Sequence, residues 1–420
     1  MTSTATTSTT STVAFHPAPY LDGGLELLTG ILEPLGTRPT AARVRQIKVR
    51  PARSVTTHYD VTTEGGGSHR IVVRAARRTL PGLGPVAHDA AGHPICAFAD
   101  LADPALPGLA AATNPTLVAR LFADLGIGAA TDRIALRVRA HRPLRRAVIE
   151  ATGPAGRLFL KVVPPTSAEL LHRRHRLLTG AGLPVAPSVG WSDRGIVVIG
   201  AISGSTLREE LRNGTDGPPI ADVHSLLDSF PNDVADLDGP SAPIDRIDEH
   251  GALLTLVQPA LRNRLERLND HLRRIDADAG TDRLRPEPVH GDLHEAQLMT
   301  EAGRLRGLLD VDGIGAGRRI DDDANALGHL SVLDLVVGHP HARRLGKRWL
   351  SELDLAGRHD PAALRARIAA VVMGLATGPF RVQEANWERN TVARLDLAAA
   401  WLAAAERAAR RRSRQLVGAR

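Results

Sequence analysis

The stretch VHGDLHEAQLMTEAGRLRGLLD, residues 289–310, decides how the rest of the chain is interpreted. It begins as a polar loop and continues as two short apolar strands with a turn between them. The loop carries four side chains with protons, lone pairs or charge to offer, which are His290, Asp292, His294 and Gln297. A second carboxylate follows at Asp310, where the second strand ends. Two carboxylates and a side-chain amide in this order predict a site for a hard divalent cation and a phosphate chain.

The composition is that of a globular protein with more than one core. A chain of 420 residues with 43% apolar and 24% charged residues favours two or three lobes. The first dozen residues, MTSTATTSTTST, lack the basic start and apolar core of a signal peptide, and a disordered tail is expected over residues 1–14. No apolar run reaches about twenty residues, so no membrane span is expected. The single cysteine, Cys96, cannot form an internal disulfide, which favours a cytoplasmic location.

The basic character of the chain suggests a nucleic-acid partner at first sight. The net charge is +7, the pI is near 10.4, and residues 407–414 read RAARRRSR. Aromatic residues make up only 3% of the chain, which leaves few rings for base stacking, and no nucleic-acid partner is expected. Of the 53 basic residues only three are lysines, namely Lys48, Lys161 and Lys347. In such an arginine-rich chain a lysine marks a place that needs a compact point charge.

Two β-rich units follow one another before the helical part of the chain. The strands RQIKVRPARSVTTHYDV and RIVVRA are joined by TTEGGGS, and about ninety residues later RIALRVRAHRPLRRAVIEA and RLFLKVV are joined by TGPAG. When the two units are aligned, Arg74 matches Lys161. This match predicts two similar small antiparallel sheets. The predicted class is α+β, with two lobes. The predicted parts are a β-rich cap (15–130), a nucleotide-binding subdomain (131–205) and a helical lobe with the polar loop (206–420).

The residue types of the polar loop suit phosphoryl transfer. This reaction needs a carboxylate near the acceptor hydroxyl, oxygen ligands for magnesium and a cation for the phosphates. Asp292 is the candidate base, and Gln297 and Asp310 offer oxygens to the metal. Magnesium takes few protein ligands when substrate phosphates supply the others, so this small set is sufficient.

The motif HGDLHEAQ, followed eighteen residues after Asp292 by Asp310 and twelve residues later by Asp322, resembles a known family. It is similar to the aminoglycoside phosphotransferase and sugar kinase branch of the protein-kinase-like fold, over roughly residues 135 to 405. Most of that branch has Asn where this chain has Gln297. In having Gln at this position the chain resembles the bacterial maltokinases and the related glucosamine kinases, which also carry an N-terminal cap.

The resemblance implies a role for each matching residue of the loop. Asp292 would be the catalytic base, and Gln297 and Asp310 would be magnesium ligands. Asp322 would be a structural brace for the loop, together with His290.

On the nucleotide side, the resemblance implies that Lys161 holds the α- and β-phosphates of ATP. The family pairs this lysine with a glutamate on the following helix, where the chain offers Glu169, while the positions a turn or two later carry Arg173 and Arg174. The hinge whose backbone meets adenine would be the segment that contains Ile199, Ala201 and Ile202.

The acceptor would meet the segment FRVQEANWERN, residues 380–390. At helical spacing Gln383, Glu384 and Trp387 share one face, and a Trp beside amide and carboxylate groups is typical of a sugar-binding surface. A Trp that anchors the last helix in the core is an equally good interpretation. A cationic aminoglycoside needs an acidic cleft, which a chain of charge +7 does not indicate, so a neutral or singly charged sugar is favoured.

The sequence thus predicts an ATP- and Mg²⁺-dependent kinase of a small sugar, such as glucosamine or a maltose-like sugar, acting as a monomer or homodimer. Three alternatives remain. The first is an aminoglycoside phosphotransferase. The second is a metal-dependent hydrolase built from His290, Asp292 and His294. The third is a kinase-like binding module without activity.

Overall fold

The computed structural model describes residues 14–281 and 285–418. The tail predicted over residues 1–14 lies outside the described residues, apart from Ala14. The chain divides into two compact units. The first is Met1–Asp100 with Arg381–Gln383, and the second is Leu101–Phe380 with Glu384–Arg420.

The first unit is an antiparallel sheet with two short helices. Its elements are α1 (Ala18–Leu21), α2 (Gly24–Leu32), β1 (Pro39–Arg50), β2 (Ser54–Thr63), β3 (Ser68–Ala76), β4 (Ala87–His88) and β5 (Pro94–Ala99). The strand order is β1-β2-β3-β5-β4. The side chains of Val55, Tyr59 and Val61 lie on β2 and are buried. The Tyr59 hydroxyl donates to the carbonyl of Tyr20 at 2.6 Å, which fastens α1 to the sheet.

The second unit begins with two short helices and a second sheet. Its elements are α3 (Leu109–Ala112), α4 (Pro115–Asp124), β6 (Ala135–Arg142), β7 (Arg146–Gly153), β8 (Gly156–Val162), α5 (Pro165–Gly180), β9 (Ser188–Trp191) and β10 (Ile196–Gly200). The strand order is β6-β7-β8-β10-β9. Asn114 caps α4 by accepting from the backbone N–H groups of Thr116 and Leu117.

The two sheets have the same strand order, which confirms the prediction of two similar antiparallel sheets. Each is a five-stranded sheet in which the fifth strand pairs with the third. Arg74 on β3 faces Cys96 on β5, and Lys161 on β8 faces Val197 on β10. The alignment of Arg74 with Lys161 therefore corresponds to the same position in the two sheets.

Residues 101–130 pack with the second sheet, although the sequence analysis placed them in the cap. Leu109 on α3 and Val118 and Phe122 on α4 are buried in one cluster with Ile149 and Leu160 of the sheet. The Pro, Gly and Ala content of residues 80 to 115 indicated an irregular linker, because short helices with few large side chains leave a weak periodic pattern.

The rest of the second unit is mainly helical. Its elements are β11 (Ser205–Thr206), α6 (Leu207–Arg212), α7 (Ile220–Asp228), α8 (Ile247–Val257), α9 (Arg262–Ala279), β12 (Glu287–Val289), β13 (Leu298–Glu301), β14 (Arg304–Leu308), β15 (Gly315–Gly317), α10 (Arg319–Val337), α11 (Pro340–Ala356), α12 (Pro361–Leu375), α13 (Gly378–Arg381) and α14 (Trp387–Gly418). The hairpin of β13 and β14 confirms the predicted strand pair. Antiparallel sheets followed by helices confirm the α+β class.

One segment, Pro361–Arg381, has the length and apolar character of a membrane span. Within the structure 72% of it is buried, and its helix α12 packs against α9, α10 and α14. Arg367, fully buried on α12, binds the carboxylate of Asp276 through two nitrogens at 3.0 Å. A helix that is apolar around its whole circumference is the pattern of a buried core helix.

Candidate active site

The polar loop follows β12 and is held in place by α10. Asp322 on α10 is 2% exposed, and its two carboxylate oxygens accept from the backbone N–H groups of His290 and Gly291, both at 2.8 Å. Gly291 has a φ of +83°, and a Cβ there would lie 2.7 Å from the carbonyl oxygen of Gly313. Only glycine fits this turn, so the backbone before Asp292 has one conformation.

Both ring nitrogens of His290 are hydrogen-bonded to backbone groups of the loop and the hairpin. Its Nε2 lies 2.8 Å from the carbonyl of Leu309, to which it donates, and its Nδ1 accepts from the N–H of Asp292 at 3.3 Å. These two bonds fix the neutral tautomer with the proton on Nε2. Neither nitrogen has a lone pair left for a metal ion, which argues against the hydrolase alternative.

Asp292 points out of the loop and is exposed to solvent. The amide of Asn325 on α10 lies 3.5 Å from its Oδ1 and donates to the carbonyl of Leu293 at 3.0 Å. Desolvation by the surrounding protein is the main cause that raises the pKa of Asp292. A raised pKa makes the ionised carboxylate a stronger base.

Asp310 stands at the end of the hairpin in an unusual backbone conformation. Its φ is +53°, which is strained for a residue with a Cβ. Its carboxylate binds Lys161 Nζ at 3.0 Å and receives two nitrogens of Arg146, at 2.9 and 3.1 Å. Burial acts to raise the pKa of Asp310, but the charges of Lys161 and Arg146 outweigh it and hold the pKa well below its usual range. Asp310 is therefore an ionised carboxylate.

Asp312 is a third carboxylate of the site, which the sequence analysis did not identify. It binds Lys161 Nζ, and its Oδ2 accepts from Arg146 Nη1 at 3.0 Å. Two cations thus lie against two carboxylates at the point where β7, β8 and the turn after β14 meet. The Asp-x-Asp spacing in LLDVDG could have identified Asp312 from the sequence. No comparable pattern singles out Arg146, because arginines are scattered throughout the chain.

The sequence left open whether Glu169 pairs with Lys161, and the structure does not bring the two side chains into an ion pair within the described residues. Among the described residues, the ion-pair partners of Lys161 are Asp310 and Asp312, and Glu169 is exposed on α5. Arg174, five residues further along α5, donates to the carbonyls of Asp312 and Asp238.

A backbone hydrogen bond brings Gln297 close to Asp310. The carbonyl of Gln297 accepts from the N–H of Leu309, the residue before Asp310, at 2.7 Å. Its amide group lies 3.3 Å from His294 Nε2, while His294 Nδ1 accepts from the N–H of Ala296. Burial lowers the pKa of His294 to about 2, so the ring is neutral and carries its proton on Nε2. The structure places the Gln297 amide nitrogen next to this N–H; with the amide turned by 180° its oxygen would accept from His294 and keep a second lone pair for a cation.

A buried group formed by His294, Glu295 and His329 has the residue types of a metal site. The rings of His294 and His329 stack with centroids 4.3 Å apart and an angle of 8°. A metal lies in the plane of each imidazole that binds it, and two parallel stacked rings cannot both direct a lone pair at one ion. Glu295 is instead paired with Arg208 at 2.6 Å. We therefore assign this group to packing.

The residues predicted to form the hinge lie at and just after the end of β10. Ile199 belongs to β10, pairs with Phe159 on β8 and is buried, whereas Ala201 is exposed and Ile202 half-buried just after the strand. After Gly200 the backbone leaves β10, which pairs with β8, the strand that carries Lys161.

The predicted acceptor residues do not share one helical face. Gln383 and Asn386 have positive φ values of +51° and +58°, so the chain turns between α13 and α14. Glu384 accepts from Asn390 at 2.9 Å, and Trp387 packs edge-on against Phe380 with ring centroids 5.0 Å apart. Glu384 and Trp387 form no hydrogen bond, ion pair or ring contact with the loop of Asp292 within the described residues.

The donors around Asp310 fit a magnesium–nucleotide complex. Hard oxygens come from the carboxylates of Asp310 and Asp312 and the amide of Gln297, and fixed positive charge comes from Lys161 and Arg146. Magnesium prefers oxygen ligands, and arginine and lysine bind phosphates. These residues would hold Mg²⁺ and the phosphates of a nucleotide.

A model of a known protein family matches part of the chain. Residues 144–334 match the model of the phosphotransferase enzyme family, APH. No curated protein matches the chain.

Solved structures with a similar fold include three kinases or phosphotransferases. The chain is similar to Plasmodium vivax ethanolamine kinase, with 11% identity and a TM-score of 0.44 over 63% of this chain and 82% of that one. It is also similar to a thermostable mutant of the aminoglycoside phosphotransferase APH(4)-Ia in complex with ADP and hygromycin B (12%, TM-score 0.46, 68% and 97%). The third is choline kinase LicA from Streptococcus pneumoniae (13%, 0.46, 68% and 98%).

Proposed function

We propose that this chain, which matches the model of the phosphotransferase enzyme family over residues 144–334, transfers the γ-phosphoryl group of ATP to a hydroxyl of a small sugar. The observation that carries the proposal is the placement of Asp292. Asp292 is exposed on a loop whose backbone is fixed by Asp322. Its negative charge is one of the causes that raise the pKa of Arg146, the residue that binds Asp310. The residues proposed as base, metal ligands and phosphate-binding cations thus lie near one another, which supports the proposal.

The chain's own residues have separate tasks in the reaction. Asp292 accepts the hydrogen bond of the acceptor hydroxyl and takes its proton as the oxygen–phosphorus bond forms. Lys161 and Arg146 bind the phosphates and stabilise the charge that grows on the departing ADP. Mg²⁺, held by Asp310, Asp312 and Gln297, would neutralise phosphate charge.

A sugar is the acceptor that the chain supports best. Trp387 carries a half-buried indole, and indole rings stack on sugar rings. The net charge of +7 disfavours the polycationic aminoglycosides. We propose glucosamine or a maltose-like sugar, and a cytoplasmic location.

An acceptor panel tests this function. ADP release is measured with Mg²⁺ and ATP for glucosamine, maltose, glucose, hygromycin B, ethanolamine and choline. We expect one of the sugars to have the highest kcat/KM. An aminoglycoside as the best acceptor would contradict the sugar assignment, and no acceptor-dependent ADP release would contradict kinase activity.

The Asp292→Asn variant tests the base. It should lower kcat by about 10²–10⁴-fold, the usual contribution of a general base. Asp270→Asn is the matched control, because Asp270 is an exposed aspartate on α9 without an ion pair in the described part of the chain. Equal rates for the two variants would refute the assignment.

A further inference from the structure

A polar cavity of about 330 Å³ lies at the start of α10, outside the group of residues that would hold ATP. Its charged lining consists of Arg285, Glu287, Arg319, Arg358 and His359. Arg319 is the first residue of α10, so the cavity also meets the positive end of a helix dipole.

Arg319 is the central group of the cavity. It is 4% exposed, and its Nη2 donates to the carbonyls of Pro288 at 2.9 Å and Leu227 at 3.3 Å. Its Nε and Nη1 have no hydrogen-bond partner among the described residues, although Nη1 lies 3.4 Å from a carboxylate oxygen of Asp228. A buried guanidinium with unused donors is unfavourable by itself, and an anion bound against the cavity wall would offset its uncompensated charge.

Arg358 and His359 are held in place by groups behind them. Arg358 donates to Asp228 at 2.9 Å and to His224 Nδ1 at 2.5 Å, so His224 carries its proton on Nε2. His224 and His359 both bind the fully buried carboxylate of Asp323, at 2.8 and 2.7 Å. This network orients the cationic wall of the cavity before any ligand arrives.

The wall of the cavity carries more cationic than anionic side chains. Among the lining residues three arginines, Arg285, Arg319 and Arg358, stand beside one carboxylate, Glu287. One oxygen of Glu287 already accepts from the Arg319 backbone N–H at 3.3 Å. The carboxylates of Asp228 and Asp323 pair with Arg358 and His359 from behind the wall, and Arg285 is exposed with no ion-pair partner in the described part of the chain. A wall of this kind favours an anionic ligand.

We propose that this cavity binds a phosphate group, carried either by inorganic phosphate or by a sugar phosphate. Guanidinium groups bind the oxygens of phosphate through paired hydrogen bonds. The volume of about 330 Å³ is within the range of small-molecule sites and leaves room for a monosaccharide beside the phosphate.

The cavity is connected to the candidate catalytic loop through two short paths. Arg319 binds the carbonyl of Pro288, two residues before His290, and it lies one turn before Asp322, which holds the loop backbone. A ligand on Arg319 is therefore expected to change the rate of the reaction. This consequence rests on the proposed function, whereas binding to the cavity does not.

Calorimetry tests the binding. Inorganic phosphate and a hexose 6-phosphate are titrated separately into the full chain at constant ionic strength, both alone and saturated with Mg²⁺ and a non-hydrolysable ATP analogue. We expect binding of at least one in both states. Arg285→Ala and Arg358→Gln should each weaken it about tenfold or more, equal to about 1.4 kcal/mol. Arg267→Ala, an exposed arginine on α9 away from the cavity, should bind as the unchanged chain does.

The outcomes separate the sources of the ligand and the two proposals. A hexose phosphate that binds at least tenfold more tightly supports a sugar phosphate, and equal affinities support free phosphate. Absence of binding, or equal affinity in the Arg285→Ala and Arg267→Ala variants, overturns the site. Binding that depends on Arg285 in a protein without kinase activity refutes the proposed function and leaves the site standing. An active protein that binds phosphate without any change in kcat overturns the connection to the loop.

Discussion

Replacing Asp322 by alanine removes the group that fixes the loop of Asp292. The Asp322 carboxylate accepts two hydrogen bonds at 2.8 Å from the backbone of His290 and Gly291. A hydrogen bond to a charged group contributes about 1.5–3 kcal/mol, so the two together contribute about 3–6 kcal/mol. Burial of the carboxylate, which raises its pKa, opposes this and reduces the expected net loss to about 2–4 kcal/mol.

For a unit of this size such a loss lowers the Tm by roughly 3–6 °C. Thermal unfolding followed by circular dichroism measures the shift. The kcat should fall more than the KM for ATP rises, because the substitution displaces Asp292 and leaves Lys161 and Arg146 in place. Asp322→Asn keeps one acceptor oxygen and should lose about half as much stability. A Tm within about 2 °C of the unchanged chain, with kcat intact, would refute the bracing role.

Three further predictions concern Arg146, Glu169 and Asp292. Arg146→Met should raise the KM for ATP about 10–100-fold, since one or two charge-assisted contacts to phosphate are lost, and steady-state kinetics would show this. Glu169→Gln should leave the KM for ATP unchanged, because Glu169 is exposed and Lys161 binds other carboxylates; a large rise would show that the pair forms with nucleotide. The rate should increase with pH through the raised pKa of Asp292, because only the ionised form accepts a proton. A flat acid limb would contradict that role.

The pKa of Asp292 also has a consequence for stability. A carboxyl group whose pKa is raised on folding favours the folded state while it is protonated, and this contribution is lost as the pH rises through the folded pKa. At neutral pH the ionised Asp292 is therefore slightly destabilising. Asp292→Asn should have a Tm at pH 7 equal to or above that of the unchanged chain, which differential scanning calorimetry can check.

The sequence predicted the parts of the fold that depend on local pattern. Alternating residues and turn signals predicted the two sheets, and the hairpin after the loop followed from two apolar runs around Ala302 and Gly303. The packing of α3 and α4 on the second sheet was missed, because it depends on contacts between distant segments. The break before α14 was missed for a similar reason, since Gln383 and Asn386 adopt positive φ without a glycine to signal it.

The candidate site was predictable only where spacing carries information. Asp292, Gln297 and Asp310 stand at fixed distances in one motif, and the structure brings Lys161 to Asp310 from a separate strand. The partners of Lys161 were not predictable, because a buried ammonium selects whichever carboxylates the fold presents to it. Here these are Asp310 and Asp312 rather than Glu169.

The most direct test of the central claim is to observe the transferred phosphoryl group itself. The full chain is incubated with Mg²⁺, ATP and the best sugar of the acceptor panel, and ³¹P NMR follows the γ-phosphate resonance. The account predicts a new phosphate monoester signal that grows as the ATP signal declines, and its absence on the same timescale with Asp292→Asn. Release of inorganic phosphate alone, or monoester formation at the same rate in the variant, would contradict it.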